Sequence, residues 1–271
     1  KQITMAQQHE VTDFVGIDIS KKTFDSYGSD IGDAHLSNDQ KGFKKLLKEL
    51  DKDSCCVMEA TAAYHQPLAN FLYENGKMVS VLNPIIVKRY GQMKQRLNKN
   101  DKADAKLIAD YATDHGVTLW EPLPAYIEDC RSIQATVTTY VKQNTQLKNR
   151  LELLKSRGET TGLVVRSIKR QLKSLLKEKV KLEDEMLHIL KQHDQELITC
   201  LTSIPGIGIK SAMFLIVHTN GMRDFENARQ VISFLGLAPM ERTSGSSIRG
   251  TSRISHRGNP KLRSTPFVKR T

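Results

Sequence analysis

Five short runs with the apolar, β-branched character of strands, broken by two stretches of helical spacing, fill residues 14–84, and this alternation leaves few folds open. The first run, FVGIDIS over 14–20, is apolar with an aspartate near its end and suits a buried strand. Pieces around Asp25–Ser29 and Ala34–Ser37 follow, parted by Gly- and Asp-containing turns. GFKKLLKEL then places Phe43, Leu46, Leu47 and Leu50 on one helical face. CCVMEA over 55–60 is a fourth strand, AYHQPLANFLYENG a helix stopped by Gly76, and KMVSVLNP over 77–84 a fifth strand. A long basic helical region runs from Pro84 to Gly116.

Three strands, helix, strand, helix, strand, helix is the order of an α/β domain of RNase H-like type, an antiparallel meander extended by right-handed crossovers. A doubly wound sheet also alternates, so the chemistry at the strand ends has to separate the two. Residues 128–195 change character. Ile133, Val137, Tyr140, Asn144, Leu147, Leu151 and Leu154 follow 4,3 spacing, and Ile168, Leu172, Leu175, Lys179, Leu182, Met186 and Ile189 repeat it. With the polar stretch Ser156–Gly162 as a turn, the expectation is an antiparallel coiled-coil arm. Such an arm either packs within one chain or dimerises, with Asn144 and Lys179 setting register. The expected division is a catalytic domain over 11–120, the arm over 128–195 and a small, mainly helical domain over 198–271.

The formal charge is +11, which points to an anionic partner such as nucleic acid or a membrane surface. After Glu241 no acid remains, while Arg242, Arg249, Arg253, Arg257, Lys261, Arg263, Lys269 and Arg270 supply eight positive charges. A tail facing nucleic acid is the expectation, a solvated basic end the plain alternative. No apolar run approaches the roughly 20 residues of a membrane span. The first ten residues lack the apolar stretch of a signal peptide, and the sequence opens on Lys, so a start elsewhere is expected. Cys55, Cys56, Cys130 and Cys200 form no CxxC pair, which fits structural thiols in the reducing cytoplasm.

Four acids carry the strongest chemical signal. Asp18 lies in an apolar strand, where an unpaired charge is costly, and Glu59 ends the fourth strand in the same way. Asp101 and Asp104, three apart in NDKADAKLIA, share a helical face. Phosphodiester cleavage at neutral pH calls for metal ions with shared hard oxygen ligands. These carboxylates fit that need, with Mg2+ or Mn2+ as the ion. Taken singly, Asp18 also suits a turn cap, Glu59 a lysine's partner, and the aspartate pair a helix N-terminus. Asp13, Asp25 and Asp110 show no such placement and are expected at the surface. Of the histidines, His188 and His193 lie on the arm in solvent, and His65 alone stands near an acid of the set. In IPGIG, Gly206 and Gly208 resemble a helix-hairpin-helix turn whose backbone approaches a phosphate, although a simple tight turn fits as well. Lys88, Arg89, Lys94, Arg96 and Lys99 could meet a nucleic-acid backbone or form a solvated face.

GIDISK, MEATAAYH and NDKADAKLIA resemble the three blocks of the RuvC-type domain in transposases of the insertion sequence 110 family. IPGIGIKSA, FLGLAP, RTSGSS and ISHRGNPKLR resemble that family's second domain, in the family's order. The resemblance implies a transposase or recombinase in which the acidic tetrad works with a serine of the C-terminal domain that bonds covalently to DNA. Ser244 matches that serine, with Ser246 and Ser247 as fallbacks, and Arg242, Arg249, Arg253 and Arg257 as phosphate contacts; His256 stands where the family more often has Lys. From residue chemistry alone, RTSGSSIRG also reads as a flexible phosphate-binding loop. The resemblance further implies a guide RNA that pairs with DNA, and a dimer or tetramer. The family carries more helical sequence after the RGNPKLR block, where this sequence ends in STPFVKRT, so a shortened last domain is expected. A site-specific invertase of the same family and a non-catalytic nucleic-acid binder remain as alternatives.

Overall fold

The computed structural model describes residues 11, 13–94, 101–240, 243–244, 248–249 and 253–254; at 101, 102 and from 239 onward it describes the backbone alone. The chain divides into two compact units, residues 1–122 and 123–271.

The first unit is built on a five-stranded sheet in the order β3-β2-β1-β4-β5. β1 (Phe14–Ile19), β2 (Thr23–Gly28) and β3 (Gly32–Ser37) form an antiparallel meander, and β4 (Cys55–Glu59) and β5 (Met78–Leu82) continue it in parallel. The alternation of side chains along β1 decides what covers each face. Val15, Ile17 and Ile19 join Cys56, Met58 and Val79 in one core with Phe43 and Leu46 of α1 (Gln40–Glu49) and Leu68 and Leu72 of α2 (Gln66–Glu74). Phe14, Cys55, Val57 and Leu82 face the other way, toward Val87 and Tyr90 of α3 (Pro84–Met93) and Leu107, Ile108 and Ala112 of α4 (Asp101–His115). A sheet covered on both sides explains why β1 and β4 read as continuous apolar runs. Local chemistry sets the helix starts: Asp39 accepts from the N–H groups of Lys41 and Gly42 ahead of α1, and Asn83 and Pro84 open α3. The single basic helical region expected over 84–116 is two helices; residues 95–100 between them, with Arg96 and Lys99, lie outside the described residues.

In the second unit α5 (Ala125–Ser156) and α6 (Leu163–Thr202) pair as a hairpin whose turn falls at the polar stretch after Ser156. Leu147, Leu151, Leu154, Val165, Ile168 and Leu172 close its tip. Ile127, Cys130, Met186, Leu190 and Ile198 pack at its base against α7 (Ile209–His218) and against Val231 and Leu235 at α8 (Ala228–Phe234). Between these clusters the seam opens into a groove of about 540 Å³ that includes Tyr140, Asn144, Leu172, Leu176 and Lys179. Among the described residues four two-residue strands follow, with β6 (Pro239–Met240) paired to β9 (Arg253–Ile254) and β7 (Thr243–Ser244) to β8 (Ile248–Arg249). Among the described residues no helix is long and apolar enough to cross a membrane.

Candidate carboxylate site

The register of the sheet sets two of the sequence-predicted acids, Asp18 and Glu59, side by side. Ile17 pairs with Met58 across the parallel β1–β4 ladder, so Asp18 and Glu59 follow at neighbouring positions on adjoining strands. Both lie in the phase of Phe14, Gly16 and Cys55, hence on the face covered by α3 and α4. The helix is laid almost directly on the strand. A Cβ added to Gly16 would stand 2.1 Å from the carbonyl oxygen of Ala105 and 2.5 Å from the nitrogen of Ala109, so only glycine permits this crossing. Asp104 immediately precedes Ala105, and Asp101 opens the same helix one turn earlier. Lys106 of the same helix lies over the ring of Tyr27, the residue paired with Gly16.

A further acid belongs to this row. Asp25 pairs with Asp18 across the antiparallel β1–β2 ladder and is 6% exposed, not a surface residue as its sequence suggested. Its carboxylate lies 2.9 Å from Nδ1 of His35, its register partner on β3. Asp13, also expected at the surface, is buried at the opposite end of β1, where it accepts from the backbone N–H and hydroxyl of Ser29. Asp110 is partly buried. No pattern in TFDSYGSD marks Asp25, because its place beside Asp18 comes from the β1–β2 register.

The donor set of Asp18, Glu59 and Asp104 is hard carboxylate oxygen, the kind that suits Mg2+ or Mn2+. Among the described residues no three His, Cys, Asp or Glu side chains are close enough to share an ion as they stand. The side chain of Asp101, the fourth acid, lies outside that description. Thiolate chemistry has no place beside them: burial pushes the Cys55 thiol up to about 12 and Cys56 higher still. His65, in the loop after Glu59, is buried, and desolvation holds its imidazole below its ordinary pKa against hydrogen bonds to the Thr61 and Ala62 backbone. Lys88 and Arg89 on α3 are exposed, but Lys94 is engaged at 3.0 Å with Asp114.

In the second unit the backbone pairs Ser244 with Ile248 and Thr243 with Arg249, while Met240 pairs with Arg253. Arg242, Ser246, Ser247, His256 and Arg257 lie outside the described residues. Gly206, at φ +90°, and Gly208 form the turn between α6 and α7, with open space where a Cβ would stand on either. His188 and His193 are exposed as expected, although His193 stacks on Tyr126 at 4.2 Å between ring centres.

Two family models match the chain. The DEDD transposase model of IS110 type covers residues 15–155, and the model described as transposase of the IS116/IS110/IS902 family covers 198–267. The pilin gene-inverting protein of Moraxella lacunata is 28% identical over 94% of this chain and 81% of its own length. The transposase for insertion sequence element IS1111A of Coxiella burnetii is 26% identical over 92% of this chain and 74% of its own length. A probable family 20 transposase of Pseudomonas aeruginosa is 24% identical, over 92% and 80% of the two chains.

Proposed function

The chain belongs to the IS110 transposase family, and from that premise we propose that it cuts and rejoins DNA at a metal site formed by Asp18, Glu59, Asp101 and Asp104, with Ser244 as nucleophile. The observation that carries this reading is the placement of Asp18 and Glu59 at adjoining strand positions beneath the helix that bears Asp104. The meander-then-parallel strand order supports an RNase H-like, RuvC-type domain. A divalent ion held there would supply Lewis-acid stabilisation of phosphate charge. The protein's own part is to hold the oxygen ligands in place and to deliver a hydroxyl. The Ser244 oxygen forms a bond to phosphorus as one phosphorus–oxygen bond to deoxyribose breaks. The serine proton leaves to a base, the departing sugar oxygen gains one, and the reverse transfer rejoins a strand. Arg249 and Arg253, on the paired strands near Ser244 in sequence, are assigned to phosphate charge together with Arg242 and Arg257.

The half-filled seam at Tyr140, Asn144 and Lys179, flanked by exposed Val141, Leu176 and Val180, supports assembly of copies through a coiled-coil arm. Exposed Lys88 and Arg89 on α3 are assigned to a guide RNA or DNA backbone. Moraxella proteins named for pilin-gene inversion match as well as transposases do, so inversion stands beside transposition as the second reading. Metal-dependent cleavage lost in Asp18→Asn, with a covalent protein–DNA adduct lost in Ser244→Ala, is the expected result. An adduct that persists in Ser244→Ala moves the nucleophile elsewhere, and cleavage that persists in Asp18→Asn removes the metal site.

A further inference from the structure

The β1–β4 register runs from Phe14 paired with Cys55 to Ile17 paired with Met58 and stops one residue short of Asp18 and Glu59. Past that point Asp18 stays paired with Asp25 of β2 and Glu59 with Leu82 of β5, and a side chain from the β3–α1 loop bridges the loops that follow the two strands. Nδ2 of Asn38 donates to the carbonyl oxygen of Ser20 at 3.0 Å and to that of Tyr64 at 3.2 Å. Its backbone N–H donates to the Lys22 carbonyl oxygen at 2.8 Å, fixing Asn38 to the β1–β2 turn. Both loops it joins carry hydrogen bonds of their own. On the β1 side the Ser20 N–H and hydroxyl both donate to the Thr23 carbonyl oxygen, at 2.8 and 2.7 Å. On the β4 side Thr61 N–H donates to Glu59 and Tyr64 N–H to Thr61.

We propose that Asn38 is a positioning residue: its amide is a strut across the mouth between β1 and β4 that sets the separation of the Asp18 and Glu59 carboxylates. The proposal rests on the metal-site reading given above. The chemistry selects asparagine. Two N–H bonds diverge from one nitrogen and reach two carbonyl oxygens at once, which a hydroxyl cannot do and a carboxylate opposes. Turning the amide over would set its oxygen against both carbonyls, so its orientation is fixed. Metal ligands must be held to within about 0.5 Å of the productive geometry. β2 holds Asp18 and β5 holds Glu59, but the β1–β4 register ends before the two acids, and the Asn38 amide supplies a link across that gap.

The test is calorimetric titration of Mn2+ alone into the metal-free full chain, for the wild type, Asn38→Ala, Asn38→Leu and Asp18→Asn. Leucine keeps the volume and removes both donors. Both Asn38 variants are expected to bind Mn2+ about tenfold more weakly, the lower end of what loss of a group that orients metal ligands costs. The Mg2+ concentration for half-maximal DNA cleavage should rise by the same factor, with thermal unfolding still cooperative. Weakened binding in Asn38→Ala with full recovery in Asn38→Leu identifies space-filling and overturns the strut. Wild-type affinity in both, with binding lost in Asp18→Asn, also overturns it and leaves the metal site standing. Wild-type binding in Asp18→Asn overturns both.

Discussion

Buried acids occur in both units, and their surroundings differ in kind. In the second unit Asp194 is held by donors: its carboxylate, 7% exposed, accepts from the Tyr126 hydroxyl at 2.8 Å and from the Arg223 guanidinium at 2.9 Å. It sits where α6 leaves helical geometry, at φ −135° and ψ 34°, and ties that kink to the start of α5 and to the loop after α7. In the first unit Asp25, Asp18 and Glu59 occupy consecutive positions of one cross-strand row, acid beside acid. Like charges placed opposite one another weaken a sheet. Asp25 too has a partner, Nδ1 of His35 at 2.9 Å, so what sets the first unit apart is acid next to acid, which concentrates negative charge in one row. The arrangement at Asp194 builds stability; the row suits a cation and a reaction.

The contrast fails if the two kinds of acid respond alike. Asp18→Asn should abolish metal-dependent DNA cleavage while costing less than about 1 kcal/mol of folding free energy, read by chemical denaturation. Asp194→Ala should do the reverse, costing about 3 kcal/mol because a desolvated carboxylate leaves the Tyr126 hydroxyl and Arg223 without their acceptor. Metal binding at the first unit, measured with Mn2+, should be unchanged in that variant. Tyr126→Phe removes one donor of the same network and should cost about 1 kcal/mol. The smallest effect sharpens the comparison through pH. Burial lowers the His65 pKa, so its neutral form is favoured in the fold. As pH falls below the ordinary histidine value of about 6.5, the unfolded chain takes up a proton that the folded one resists, and stability declines until the lowered folded value is passed. His65→Gln should flatten that acid limb in denaturation measured between pH 7.5 and 5, where an unchanged limb would assign it to other groups.

Much of the first unit is legible in the sequence because its strands are covered on both faces and so carry continuous apolar runs. Asp18 and Glu59 stand out as acids in FVGIDIS and CCVMEA, and the three-residue spacing of Asp101 and Asp104 fits the helix that bears them. What stays hidden depends on pairing. Asp25 becomes a neighbour of Asp18 only through the register of β1 with β2, and Asn38 acts between loops that are far apart in the chain. The heptad pattern foretells two long helices and their turn but ends at Ile189 and gives no sign of the kink at Asp194, because apolar spacing carries no record of a buried polar contact.

The burial of cysteine has a practical side. Three of the four thiols, Cys55, Cys56 and Cys130, are enclosed, and burial raises the Cys130 pKa to about 11. Cys200 alone is exposed, in the last turn of α6 just before the bend at Gly206. The unaltered chain therefore offers a single attachment point for a maleimide dye. A fluorophore placed there would sit beside the glycine turn that precedes α7, where its anisotropy could follow the docking of an oligonucleotide without any engineered residue.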